Sequence, residues 1–161
     1  LETDQPIFGD LNFALNEVTI SRKDTTSMIT ITTYINDQYL NSYWADGLII
    51  ATPTGSTGYS LSCGGPIVMP GSNNFIITPI APHNLNVRPL VISDEYELKV
   101  KVEGRANQFL VALDSRIQTI DAGIELTIKK ESFKINMIET ETQDFASTLR
   151  NKLLWGLDKR N

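Results

Sequence analysis

Residues 95–138 read EYELKVKVEGRANQFLVALDSRIQTIDAGIELTIKKESFKINMI and carry the clearest architectural signal in the chain. Apolar and charged side chains alternate over residues 95–103, which is the period of a half-buried strand. Runs of the same type follow the turn at Gly104, at residues 108–113, 116–120, 124–130 and 133–138. Strands at a spacing of roughly ten residues are typical of an all-β sandwich or distorted barrel.

The same strand signals occur towards the N-terminus. Residues 28–35 alternate between isoleucine on one face and threonine or tyrosine on the other, and residues 38–44 return after the tight turn at Asn36-Asp37. Further apolar runs lie at residues 13–20, 47–52 and 75–80. We therefore predict a mainly β protein, with a β-sandwich-like domain of short strands.

The last part of the chain changes from strand to helix period. Its apolar residues recur every four positions, at Phe145, Leu149 and Leu153. We predict an amphipathic helix over residues 142–155, capped by Thr142 or Asp144 and ended by Gly156. Such a helix must bury its apolar stripe against a partner surface.

Composition limits the function classes. The chain has 161 residues, 41% hydrophobic and 20% charged, which is the composition of one globular domain, alone or with an appendage. The net charge of −5 argues against a nucleic-acid or anionic-membrane binder. Cys63 is the only cysteine and His83 the only histidine, which excludes a Cys/His zinc site within one chain and suits a reducing, cytoplasmic compartment.

Residues 45–66 read ADGLIIATPTGSTGYSLSCGGP and carry the chemistry. A short buried strand leads into a loop with two glycines and four hydroxyls, followed by a predicted helical turn at residues 59–63. Glycines let a ligand approach the backbone closely, and hydroxyls suit the base, ribose or phosphate of a nucleotide. The loop has neither the lysine of a P-loop nor the spacing of a nucleophile elbow. A tight structural turn explains its composition equally well.

Polar and acidic side chains that precede this loop in the sequence are further candidates for ligand binding. Asn16 and Glu17 suit ribose hydroxyls and a base edge, although polar groups facing outward at a strand end are the commoner case. Asp46 suits a sugar hydroxyl or, alternatively, a turn. The turn at Asp114 is most simply that of a hairpin, with Arg116 solvated beside it.

Five segments in order resemble the NAD kinases, which use ATP to phosphorylate the 2′-hydroxyl of the adenosine ribose of NAD and so make NADP. The segments are LNEV at 15–18, DGLIIATPTGSTGYSLS at 46–62, ITPIAPH at 77–83, RPLV at 88–91 and TLRNKLLWG at 148–156. The second of these is long enough to be specific. The resemblance spans nearly the whole chain.

The resemblance also implies what this chain lacks. NAD kinases have an N-terminal α/β domain whose Gly-Gly-Asp-Gly motif supplies the proposed general base, and that motif is absent here. We therefore expect residues 1–140 to be the NAD-binding β-sandwich domain and residues 141–161 a helix that packs towards the missing domain. The missing initiator methionine fits a fragment, which we expect to contain no catalytic residue and to be inactive alone.

For the adenosine half of NAD, the resemblance implies five binding residues. Asn16 would read the adenine, and Glu17 would hold hydroxyls of its ribose. Thr54 and Thr57 would bond the adenine edge. Gly58 would lie against the base, where the family usually has alanine.

For the other half of NAD, the resemblance implies three residues. Tyr59 and Ser62 would lie near the pyrophosphate or nicotinamide, and Asp46 would reach the nicotinamide ribose of NAD bound to a neighbouring subunit. A homo-oligomer, dimer or tetramer, is then expected. ATP and Mg²⁺ or another divalent metal would serve the whole enzyme, and no metal site is expected in this chain.

Two other functions remain open from the sequence. One is a non-catalytic nucleotide-binding β-sandwich that regulates a partner. The other is a lipid kinase of the diacylglycerol or sphingosine type, although the polar loop replaces the apolar cleft that an acyl chain needs. An upstream Gly-Gly-Asp-Gly motif would separate the NAD kinase from the regulatory module.

Overall fold

Two antiparallel sheets pack against each other in the computed structural model, which describes residues 1–3, 6–23, 27–138 and 144–154. The six-stranded sheet has the order β6-β5-β4-β1-β8-β9, and the four-stranded sheet has the order β10-β7-β2-β3. The strands are β1 (Glu17–Arg22), β2 (Ile29–Ile35), β3 (Gln38–Ala45), β4 (Gly47–Ala51), β5 (Asn74–Ile80), β6 (Leu90–Ser93), β7 (Leu98–Glu103), β8 (Gln108–Leu113), β9 (Arg116–Asp121) and β10 (Glu125–Ile128). The prediction of a mainly β, sandwich-like fold is confirmed.

The core lies between the inner faces of the two sheets. Ile20, Ile31, Val100 and Phe109 are fully buried there, and each comes from a strand with an alternating pattern. Strand β4 differs, because all five of its residues are buried. Its outer face is covered by the segment that contains a 3-10 turn (Thr54–Thr57) and the short helix α1 (Tyr59–Ser62).

The β2–β3 hairpin shows why local signals predicted this fold well. Asn36 and Asp37 both have positive φ, at 47° and 65°, which matches the twist that a two-residue hairpin requires. The turn brings Ile35 opposite Gln38 in the antiparallel ladder. The predicted isoleucine face of β2 points into the core.

Three strand predictions need correction. Residues 133–138 alternate in sequence but form no strand, because the chain leaves the sheet after β10 and Phe133 packs edge-on against Phe13 at 5.1 Å. Strand β6 was not predicted, although it pairs with β5. Strand β1 begins at Glu17 and not at residue 13.

Helix α2 (Phe145–Leu153) begins and ends inside the predicted helix. Asp144 caps it, accepting the Ser147 N–H at 2.7 Å, and Leu154 ends it in the left-handed conformation. The predicted limits Thr142 and residue 155, and the predicted stop at residue 156, lie outside the described residues. No residue of α2 is buried. Within the described ranges, no helix is long and apolar enough to cross a membrane.

Candidate functional site

The antiparallel pair β1 and β4 carries the candidate site at both of its ends. Asn16 and Glu17 lie at the start of β1, beside the loop that follows β4. Asp46 lies at the start of β4, beside the end of β1 at Arg22. The two ends are therefore fixed by one hydrogen-bonded ladder.

Asp114 holds the backbone of Asn16 and Glu17 from the β8–β9 turn. Its Oδ1 accepts the N–H groups of Asn16 at 2.8 Å and Glu17 at 3.1 Å, and its Oδ2 accepts that of Leu15 at 2.9 Å. Its own N–H donates to the Glu17 carbonyl at 3.0 Å. The hairpin turn predicted there is present, and its aspartate also organises the site.

Arg116 braces the segment that precedes Asn16. Its guanidinium donates to the carbonyl oxygens of Leu11 and Phe13. The prediction that Arg116 is simply solvated was wrong. Its partners are about a hundred residues away in sequence, so no local pattern could have indicated them.

Thr52 fastens the other side of the same backbone. Its hydroxyl donates to the Leu15 carbonyl at 2.7 Å, and its N–H donates to the Asn16 carbonyl at 2.8 Å. The Thr52 hydroxyl also accepts the N–H of Gly55 at 3.2 Å. Residues 15–17 are thus held between the β8–β9 turn and the glycine-rich loop.

The two glycines of this loop approach β1 closely, to different degrees. A Cβ on Gly55 would lie 2.1 Å from the Asn16 carbonyl oxygen, so only glycine fits without moving the backbone. A Cβ on Gly58 would lie 3.4 Å from Glu17 Oε2 and 3.3 Å from the Gly55 oxygen. Gly58 is thus next to the Glu17 carboxylate.

Among the described residues, Glu17 and Asp94 each have a buried carboxylate oxygen without a hydrogen-bond partner, and Glu17 is the one beside the glycine-rich loop. Its Oε2 is buried and has no hydrogen-bond partner among the described residues. Burial, and then the nearby charge of Asp114, raise the pKa of Glu17. An unpaired buried acceptor is costly in a folded protein, so this oxygen calls for a partner from outside the described residues.

The hydroxyls of the loop divide into two groups. The buried hydroxyls are structural, since Ser56 donates to the Pro53 carbonyl at 2.7 Å and Ser60 pairs with Thr78 at 2.8 Å. Thr57, Tyr59 and Ser62 are exposed, and Thr54 is half-buried. These four residues, whose side chains are at least partly accessible, are the four hydroxyl residues predicted to bind NAD.

A cavity of about 380 Å³ opens beside the start of β1. Glu17, Thr52 and Thr54 line one side, and Asp94 and Lys130 line another. Lys130 Nζ lies 2.6 Å from Asp94 Oδ2. Of the residues predicted to bind NAD, only Glu17 and Thr54 line this cavity. The others lie outside it: Asn16, Asp46, Thr57, Gly58, Tyr59 and Ser62.

Aromatic side chains lie near Asp46. Tyr43 is buried in the core, whereas Trp44 is 52% exposed and meets the His83 ring edge-on at 4.3 Å. The His83 N–H donates to the Trp44 carbonyl at 2.9 Å. Tyr43 is therefore part of the core, and Trp44 is not.

Comparison with known proteins decides the family. The profile of the ATP-NAD kinase C-terminal domain matches residues 15–140. The chain belongs to the NAD kinase family. It is 70% identical over 152 residues to an NAD kinase of Flavobacterium psychrophilum, covering 94% of this chain and 52% of that relative. It is 56% identical over 161 residues to an NAD kinase of Cytophaga hutchinsonii, covering all of this chain and 55% of that relative.

Solved structures of NAD kinase relatives share the fold. Yeast NADH kinase, complexed with NADH, matches with a TM-score of 0.79 at 27% identity, over 89% of this chain and 44% of that one. An NAD kinase from Archaeoglobus fulgidus, in complex with ATP, matches with a TM-score of 0.67 at 35% identity, over 74% of this chain and 46% of that one. The chain spans about half the length of the NAD kinases it matches.

Sequence reasoning missed three organising residues of the site. Asp114, Thr52 and Gly55 bind no predicted ligand group, yet they hold Asn16 and Glu17 in place. Of the three, Gly55 was the easiest to predict from the sequence, because a glycine in such a loop often marks a close approach between two backbone segments. For Asp114 no signal existed in the sequence, since its partners lie 97 to 99 positions away.

Proposed function

We propose that this chain is the NAD-binding half of an NAD kinase that phosphorylates the adenosine-ribose 2′-hydroxyl of NAD with ATP to give NADP. The observation that carries the proposal is the buried, unpartnered Oε2 of Glu17 beside Gly58. A ribose hydroxyl donates a hydrogen bond, and this acceptor lacks one. The accessible hydroxyls of Thr54 and Thr57 lie in the adjoining loop, which suits the adenine edge.

In this proposal the chain binds and orients the acceptor and supplies no catalytic residue. Asn16 and Glu17 hold the adenosine, and Tyr59 and Ser62 hold the rest of NAD. Asp46 reaches the nicotinamide ribose of NAD bound to a neighbouring subunit. ATP supplies the phosphoryl group, and the general base comes from a Gly-Gly-Asp-Gly domain outside this chain. Holding the hydroxyl in line with the phosphoryl group is a large part of such catalysis.

The divalent metal that accompanies ATP would also be held outside this chain. We further propose a cytoplasmic homo-oligomer, because the single cysteine suits a reducing compartment and Asp46 would contact NAD on a neighbouring subunit.

The decisive assay measures NADP formation from NAD, ATP and Mg²⁺ by the full-length protein that contains this chain, with residues 1–161 alone as the control. We expect NADP from the full-length protein only. NADP formation by residues 1–161 alone would contradict the assignment of the base to another domain. A full-length protein that binds NAD without making NADP would instead support the regulatory module.

The placement of the adenosine is tested by binding. Asn16→Ala and Thr57→Val should each weaken NAD binding by about 1–3 kcal/mol, because polar atoms of NAD lose their partners. Thr119→Val, an exposed change on edge strand β9, is the matched control and should bind NAD normally. Titration calorimetry on the full-length variants gives the affinities. Normal binding by both site variants would show that the adenine lies elsewhere.

A further inference from the structure

Arg22 and Asp46 form an ion pair at the end of the β1–β4 ladder. The guanidinium Nη2 of Arg22 lies 3.0 Å from Asp46 Oδ2, and each side chain is 29% exposed. The backbone N–H of Arg22 also donates to the Asp46 carbonyl at 3.0 Å. A pair that is mostly shielded from water keeps more of its electrostatic effect than a fully solvated one.

Backbone contacts fix Asp46 on both sides, so only its side chain can change conformation, and Arg22 holds that side chain. The Asp46 N–H donates to the Ile80 carbonyl at 3.0 Å. A Cβ on Gly47 would lie 2.5 Å from the Ile20 carbonyl oxygen, which shows how tightly this end of β4 is pressed against β1. Only the side-chain torsions of Asp46 are left, and the guanidinium holds the carboxylate at one oxygen.

We propose that Arg22 is a positioning residue for Asp46, and that its charge sets how strongly this end of the site favours NAD over NADH. The inference rests on the proposed function, in which Asp46 reaches the nicotinamide ribose of NAD bound to a neighbouring subunit. Arg22 occupies Oδ2, while Oδ1 has no partner among the described residues and is left for a ribose hydroxyl. The oxidised nicotinamide ring is cationic and the reduced ring is neutral, so the net charge at Asp46 acts on one substrate and not on the other.

Asp46 also lies close to the α1 segment of its own subunit. Burial, then Cys63, then the charge of Asp46 raise the pKa of the Tyr59 phenol. With Arg22 in place, the carboxylate retains its hydrogen-bonding capacity while much of its charge is balanced.

Removing the cation should change the selectivity between the two dinucleotides. In Arg22→Gln, the uncompensated carboxylate attracts oxidised nicotinamide, so the ratio of KM for NADH to KM for NAD should rise about three- to tenfold. The kcat values should change little, because the reacting 2′-hydroxyl lies at the other end of the molecule. Arg22→Lys keeps the positive charge and should retain the ratio of the parent protein.

Two controls separate this effect from a general loss of structure. Lys23→Gln removes the neighbouring cation, which is exposed and donates to Gln108 at 2.7 Å and not to Asp46. This variant should leave the ratio unchanged. In an Asp46→Asn background, adding Arg22→Gln should no longer raise the ratio, because the charge that Arg22 balances is gone.

The experiment is steady-state kinetics of the full-length variants with NAD and with NADH. Equal changes in both KM values for Arg22→Gln would overturn the inference while leaving the proposed function intact. A ratio that rises equally in Lys23→Gln would also overturn it, since the effect would then belong to overall surface charge. If the parent protein phosphorylates neither dinucleotide, the proposed function and the inference both fail.

Discussion

Asp114 offers the sharpest test of how the site is held together. One carboxylate in the β8–β9 turn accepts three backbone N–H groups from residues 15–17 at 2.8 to 3.1 Å. Asp114 has φ of 53°, a conformation that asparagine and glycine adopt readily and alanine does not. Asp114→Asn and Asp114→Gly therefore test the carboxylate with little backbone penalty.

The expected magnitude follows from the number and exposure of these bonds. A hydrogen bond to a charged group contributes about 1.5–3 kcal/mol when partly buried, and less when exposed. The bonds from Asn16 and Glu17 are partly buried, and that from Leu15 is exposed. Asparagine can still accept the first two without charge, so we expect a local loss of about 2 kcal/mol for Asp114→Asn and about 3–4 kcal/mol for Asp114→Gly.

Hydrogen exchange of the amides of residues 15–17 in the full-length protein measures this loss directly. The expected free energies correspond to exchange about 30-fold faster in Asp114→Asn and several hundredfold faster in Asp114→Gly. Ser115→Ala changes the exposed neighbour in the same turn and should leave exchange unaltered. Amides that exchange at the parent rate in both Asp114 variants would refute the carboxylate as the element that holds this segment.

Two further predictions concern the groups next to this segment. Burial, and then Asp114, raise the pKa of Glu17 above its usual value of 4.5. The folded protein therefore binds the proton of the Glu17 carboxyl more tightly than the unfolded chain does. Ionisation of Glu17 thus lowers the stability of the fold as pH rises above 4.5. Glu17→Gln should therefore melt at a higher temperature than the parent protein at pH 7.5 but not at pH 4, and a pH-independent difference would contradict this. Gly55→Ala should lower the melting temperature and abolish NAD binding, because its Cβ meets the Asn16 backbone. Gly58→Ala should be tolerated. Equal effects of the two substitutions in calorimetry and NAD titration would contradict this contrast.

Most of the fold was predictable because its signals are local. Alternation in β7 placed Leu98, Val100 and Val102 in the core, and the structure buries all three. Asn36 and Asp37 adopt the positive φ values that their two-residue hairpin needs. Each of these features depends on neighbouring residues and on the period of a strand, which a single sequence displays.

The failures share a different cause. Residues 133–138 have strand alternation but no neighbouring strand, and a strand needs a partner for its backbone groups. Arg116 and Asp114 look like ordinary turn residues, yet both bind the segment before β1 across roughly a hundred positions. Contacts at that separation depend on strand order, which alternation does not reveal. The candidate ligand contacts rest on the resemblance and stay predictions, whereas neither the resemblance nor local pattern indicated the residues that hold their backbone.

The β1–β4 pair holds the two ends of the candidate site in a fixed relation. Strand β4 has five residues, which at about 3.3 Å each gives roughly 17 Å between its two ends. At one end Gly55 lies against Asn16, and at the other Gly47 lies against Ile20, in both cases closer than a Cβ would allow. The same two strands therefore fix Asn16 and Asp46 at a constant separation. In the proposed function these residues contribute to the sites of two subunits, so each NAD would meet contacts that are already in place and would lose less binding free energy in ordering the protein.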